Sequence, residues 1–195
     1  MEQTETEPQR RDGRFRDTRQ RIEAVALELF TTKGVGQTTL QEIADRLGLT
    51  KTALYYHFNS KGELVRSVVR KSVEELTAFL NEVEHDPDDP RAILEGFFDL
   101  CYTHRNVLRA LIFDPTAMAH LDHTDFMPRP THEAQRLLAG PDPTPEQRIR
   151  AFMAIQGLSR CATLLDDVDH GTLRTTAITV AYETLTGAPE PAPPG

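Results

Sequence analysis

Tryptophan is absent from this chain of 195 residues, and cysteine occurs only twice, as Cys101 and Cys161. Two cysteines so far apart, each in an apolar helical context, read as reduced core thiols in a cytoplasmic protein. They do not suggest a disulfide framework or a metal site. No uninterrupted apolar run approaches the roughly 18 residues that a membrane span requires, so no membrane partner is expected. The opening stretch MEQTETEPQRRDGRFR has no apolar segment and is not expected to act as a secretory signal. Convincing alternation of apolar and polar residues is missing too, which argues against half-buried strands. Also absent are a G-x-S-x-G elbow, a phosphate-cradling glycine loop and H-E-x-x-H. No enzyme activity and no cofactor are therefore expected.

What is present begins with 38% hydrophobic residues, enough for a core, and a net charge of −8. The charge is unevenly spread. Residues 10–70 hold 12 basic and 7 acidic side chains, a local +5, whereas the first nine residues carry −3 and everything after Arg70 carries −10. Such asymmetry suggests a basic module that meets polyanions, joined to an acidic body with another task. The competing explanation is chance segregation of solvated charges.

Periodicity makes the chain almost entirely helical. Ile22, Val25, Ala26, Leu29 and Phe30 follow the i, i+3, i+4, i+7, i+8 pattern, with Asp17 as the expected N-cap and Gly34 as the stop. Thr39 and Glu42 form a T-x-x-E capping box ahead of a two-turn helix that ends at Gly48. Thr50 is placed to cap a short helix from Lys51 to about His57, which turns Leu54 and Phe58 inward. Ser60 and Glu63 form a second box at the start of a long helix. Asp89 and Pro90 open another. A helix is expected from about Thr131 to Ala139, a further one after the Thr144–Gln147 box, and a last one from about Asp169 to Thr186. These last two are apolar on more than one side. A second subunit is the simplest cover for the extra face, with a fully buried central helix as the alternative.

A capped two-turn helix, a glycine turn and a short polar helix together make a helix-turn-helix. In that motif the second helix enters the major groove, which suits the exposed side chains of Lys51, Thr52, Tyr55, Tyr56 and His57. Thr39, Thr50 and Lys61 flank it as candidate phosphate contacts. An arginine-rich arm that includes Arg14 and Arg16 precedes it, of a kind that follows a backbone or enters a minor groove. The stretch TTLQEIADRLGLTKTALYYHFNSKGELV resembles the signature of the TetR family of bacterial transcriptional regulators, and AVALELFTTKG resembles that family's first helix. The resemblance covers about Ile22 to Val68. It implies an all-α homodimer in which each subunit has an N-terminal three-helix DNA-binding domain and a C-terminal helical domain for effector binding and dimerisation. One departure matters: members often have glycine where Thr52 stands, so operator preference is not inherited from relatives; Ser or Thr is also frequent where Ala53 stands, and alanine removes one potential contact.

The organisation expected on this basis is a flexible basic arm over residues 1–17, the DNA-binding domain over 18–60, the effector and dimerisation domain over 61–187, and a disordered tail over 188–195. The function implied is a repressor that binds a near-palindromic double-stranded operator as a homodimer through its last two helices. A small hydrophobic effector would release it. Candidate effector-pocket residues are Phe97, Cys101, His104, Phe113, Met118, Phe126, Phe152 and Gln156, each of which core packing would equally explain. His120 and His123, with Asp122 and Asp125 between and after them, have an H-x-x-H spacing but no nearby third His or Cys. A solvated loop accounts for them, and no metal is assigned. A helical metal sensor or small enzyme remains as an alternative, as does an adaptor with a vestigial helix-turn-helix.

Overall fold

The structure, a computed structural model, describes residues 7–83, 89–112, 114–121 and 128–187; for residues 7–14, 111–112, 115, 118 and 128–129 it describes the backbone alone. All regular structure among the described residues is helical: α1 (Glu7–Lys33), α2 (Leu40–Leu47), α3 (Lys51–His57), α4 (Lys61–Val83), α5 (Pro90–Thr103), α6 (Arg105–Ile112), α7 (Pro115–Ala119), α8 (Pro128–Ala139), α9 (Pro145–Leu164) and α10 (His170–Thr186). No described helix is long and apolar enough to cross a membrane.

The chain divides into two compact units. One comprises the residues up to Arg70 together with Ala110–Leu121; the other comprises Lys71–Arg109 and the chain beyond Leu121. The expected boundary after residue 60 coincides with the start of α4, whereas the two units divide farther on, within that helix, after Arg70. Part of the expected arm, from residue 7 on, is helical. Helix α1 begins at Glu7 and passes through Asp17, so that residue lies inside a helix and does not cap one. Pro8 suits that start, since proline in the first turn removes one of the unpaired backbone donors and presets the helical φ.

In the first unit α1 packs on α2 and α3, and α2 packs on α3. The buried faces are Ile22, Ala26, Leu29 and Phe30 of α1, Leu40, Ile43 and Ala44 of α2, and Leu54 with Phe58 at α3. Burial of Leu54 and Phe58 contributes about 2–3 kcal/mol each and sets the rotation of α3. Thr39 caps α2 by accepting from the Glu42 amide at 3.1 Å. Gly48 ends it in the left-handed region at φ 66°, and the Leu49 amide donates to the Ala44 carbonyl at 2.9 Å. Only glycine takes that φ without strain, so the tight turn into α3 depends on it.

In the second unit α9 is central and packs on α10, α8 and α5. Its core gathers Leu80, Leu94, Phe97, Phe98, Ile155, Leu158, Leu173 and Ile178. Arg174 of α10 forks onto Asp99 of α5 with two hydrogen bonds of 2.7 and 2.8 Å. The other side of the α9–α10 pair is left open. Met153, Leu165 and Val180 are exposed there by 59%, 43% and 55%. They border a groove of about 280 Å³ that Gly157, Cys161 and Thr176 also line. The second apolar face is therefore not covered within the described residues of one chain.

Candidate nucleic-acid interface

Helix α3 is too short to be stable alone, and its orientation comes from Leu54 and Phe58 below and from the Thr50 cap, whose hydroxyl accepts from the Ala53 amide at 3.1 Å. With Leu54 inward, Lys51, Thr52, Tyr55 and Tyr56 are exposed. Tyr56 is 77% exposed, an unusual state for so large a side chain in a folded domain. The Lys51 ammonium lies 5.8 Å from the centroid of the Tyr55 ring. Thr39 and Thr50 are exposed at the starts of α2 and α3. A cation, a threonine hydroxyl and two phenols on one helix can donate to phosphate oxygens and to base edges alike.

Two expected contacts are placed otherwise. The Lys61 ammonium is bonded within the unit: Nζ donates to the carbonyls of Val35, Gly36 and Thr38 at 2.8, 3.2 and 3.0 Å. An ammonium has three hydrogens, and three acceptors use them. Lys61 therefore ties the α1–α2 turn to the start of α4 and is not a free phosphate contact. His57 is half-buried, its ring tilted on Phe15 at 4.5 Å between centroids, and its Nδ1 is buried without a hydrogen-bond partner. Burial, and then the nearby Arg19 charge, hold its pKa below the ordinary histidine value, so the ring is neutral at physiological pH.

Arg19, which the sequence analysis did not single out, lies inside the first unit. Its guanidinium donates to the His57 carbonyl at 2.8 Å and to Ser67 Oγ at 3.1 Å, and it lies 4.1 Å from the Phe58 ring centroid. One side chain thus joins α1, the end of α3 and α4. The i, i+4 pairing with Glu23 was the only local sign of it. Arg16 is exposed on α1. The side chain of Arg14 lies outside the described residues.

Of the expected effector-pocket residues, Phe97, Cys101 and His104 line one small cavity of about 30 Å³, together with Ser72, Leu76 and Ser159. That volume suits about one water molecule. The Cys101 thiol is pushed up to about 12 by burial, against a hydrogen bond from Ser159 that lowers it, and is unreactive there. His104 Nε2 pairs with Glu75 at 2.7 Å. Phe152 is elsewhere, 52% exposed beside an open groove between α8 and α9, and Gln156 does not line the cavity. Phe113 and Phe126 lie outside the described residues, as does the side chain of Met118. Among the described residues no three His, Cys, Asp or Glu side chains are grouped to hold a metal; His123 falls outside them.

The model of the N-terminal domain of the bacterial regulatory proteins of the tetR family matches residues 22–68. The transcriptional regulator SrpR of Pseudomonas putida is 40% identical over 72 residues, 37% of this chain and 32% of SrpR. The transcriptional activator FasR of Mycolicibacterium smegmatis is 37% identical over 78 residues, 38% of this chain and 36% of FasR. The chain thus matches these relatives over about a third of their length. In fold the likeness is wider. A transcriptional regulator from Aquifex aeolicus VF5 superposes with a TM-score of 0.66 over 83% of this chain and 95% of its own, at 21% identity.

Proposed function

We propose that this chain, whose residues 22–68 are a tetR-type N-terminal domain, is a transcriptional repressor. It binds a near-palindromic operator as a homodimer and leaves it when a small hydrophobic effector occupies the second unit. The observation that carries the DNA reading is the α3 face: Lys51, Thr52, Tyr55 and Tyr56 stand exposed on a helix anchored by Leu54 and Phe58. Local charge supports it, since this is the +5 part of an acidic chain. Thr39 and Thr50 are proposed to offer hydroxyls to flanking phosphates.

The dimer reading rests on the open α9–α10 face. Met153, Leu165 and Val180 exposed together around the groove at Gly157 make a patch that a second copy would cover with the same patch, as a two-fold interface requires. Two such subunits would set their α3 helices about one DNA turn apart.

The effector reading rests on the α5–α8–α9 cavity. At about 30 Å³ it is small, whereas occupied sites for small molecules run to about 300–1,000 Å³, so a ligand would have to part its walls. Ser72 and Leu76 of α4 are in those walls, and α4 is the helix that begins at Lys61. Opening the cavity would therefore press on a helix that also belongs to the DNA-reading unit. The relative named as an activator shows that the sense of regulation is not set by the matched domain alone.

A binding-site selection with a random duplex library tests the proposal. Retention of a palindrome with half-sites about one helical turn apart is expected. A reporter placed behind that sequence should be silenced by the protein. No enrichment by folded protein at low salt would sink the DNA reading, and activation of the reporter would sink repression.

A further inference from the structure

Residues 110–121 are distant in sequence from the helix-turn-helix, yet they belong to the first unit. Three glycines make room for them. A Cβ at Gly34 would lie 2.9 Å from Asp114 Oδ2, one at Gly36 would lie 3.0 Å from Thr116 Oγ1, and one at Gly62 would lie 3.4 Å from His120 Nδ1. The contacts are also polar. Asp114 Oδ2 accepts from the Gly36 amide at 2.8 Å, and its other oxygen accepts from the amide and hydroxyl of Thr116 at 2.8 and 2.6 Å. Arg66 of α4 donates to the His120 carbonyl at 3.0 Å.

The α1–α2 turn is thereby held from two directions. Lys61 takes its carbonyls at Val35, Gly36 and Thr38, and Asp114 takes its amide at Gly36. A cation on the carbonyls and an anion on the amide fix the turn's dipoles in one orientation. The next residue along the chain is Thr39, the cap of α2 and a proposed phosphate contact. The chain enters this segment from residue 109 and leaves it after residue 121, and both flanks belong to the second unit.

We propose that residues 114–120 are a clamp that sets the DNA-binding geometry of α2, with Asp114 as its positioning residue. The clamp is a second link to the effector unit besides α4. It rests on the reading of the first unit as DNA-binding. Docked, the clamp holds Thr39 where a phosphate can be met. Drawn away through its flanks in the second unit, it frees the turn and lowers operator affinity.

The test uses the full-length protein and the operator recovered with the wild type. Asp114→Ala should weaken operator binding roughly tenfold, the equivalent of about one lost charge-assisted hydrogen bond, and should speed hydrogen exchange at the Gly36 amide. A disulfide then replaces the lost bonds. The Cβ built at Gly36 lies 3.7 Å from Thr116 Cβ, a separation suited to a cystine. Gly36→Cys with Thr116→Cys in the Asp114→Ala background should regain wild-type affinity when oxidised and lose it again on reduction. A cystine also repairs plain instability, so affinities are compared well below each variant's melting temperature, where a merely structural carboxylate would leave binding unchanged. If Asp114→Ala does not fold, Gly36→Val serves as a wedge against Thr116, and Thr116→Ala should relieve it.

Unchanged affinity in Asp114→Ala and in Gly36→Val would overturn the clamp, as would a disulfide that forms without restoring binding. A wild type that retains no duplex would overturn the DNA reading itself. In that case exchange at Gly36 still reports whether Asp114 holds the turn.

Discussion

Lys61 and Tyr56 are both long polar side chains bordering α3, and the structure uses them in opposite ways. The ammonium of Lys61 is hydrogen-bonded to three carbonyls of the α1–α2 turn. Lys61→Ala leaves those acceptors short of a donor and should cost about 1–3 kcal/mol of stability, read as a lower melting temperature, with the salt dependence of DNA binding unchanged. A reduced salt slope would restore Lys61 as a phosphate contact. Tyr56 is 77% exposed, so Tyr56→Ala should leave the stability within about 0.5 kcal/mol of wild type while weakening DNA binding. Equal loss of both would make Tyr56 a packing residue.

His57 adds a pH dependence. Its folded pKa lies below the ordinary 6.5 because burial and Arg19 both oppose its charge. The folded state therefore binds this proton less readily than the unfolded state. The stability it confers is present above about pH 6.5 and declines as pH falls through that value. Melting at pH 7.5 and 5.5 should show a larger acid loss in wild type than in His57→Gln. Equal losses would remove His57 as the cause.

At the scale of elements, α9 and α10 each carry two apolar faces, and the described residues cover only one of each. The buried side holds Ile155, Leu158, Leu173 and Ile178, and the open side holds Met153, Leu165 and Val180. A charge placed in a two-fold patch is buried twice without a partner and costs several kcal/mol per dimer. Val180→Glu should shift the protein from dimer to monomer in sedimentation at micromolar concentration, with the helical signal in circular dichroism retained. Operator affinity should fall with it, since a single α3 reads one half-site. A variant that remains dimeric would move the interface to another face.

For the whole molecule the governing quantity is where charge lies, not its sum. The chain carries −8, and a rod-like polyanion would repel it if the mean field decided binding. Debye screening limits that repulsion to about 8–10 Å in physiological salt, so the +5 stretch acts locally. Operator affinity should fall steeply between 50 and 200 mM salt, with a log–log slope of about −0.9 for each phosphate neutralised. An affinity that rises with salt would mean that the acidic second unit dominates the encounter.

Much of this protein is local in origin. Thr39, Thr50, Asp89, Thr144 and Asp169 all cap the helices their positions suggested. Capping and helical periodicity act within a few residues, and those are the interactions a sequence displays. The inward turn of Leu54 and Phe58, and with it the outward face of α3, follows for the same reason. The start of α1 at Glu7 escaped because Asp17 is as plausible a cap by type as the earlier residues. The rest was decided by contacts between distant positions. Asp114 meets Gly36 across 78 residues, Arg19 meets His57 across 38, and Lys61 meets Val35 across 26. Each pairs a charged side chain with a backbone group, which any residue offers equally, so no pattern of side chains marks the partner. Tertiary packing alone brings that carbonyl or amide within reach, and only then does a lysine that reads as a DNA contact become a brace.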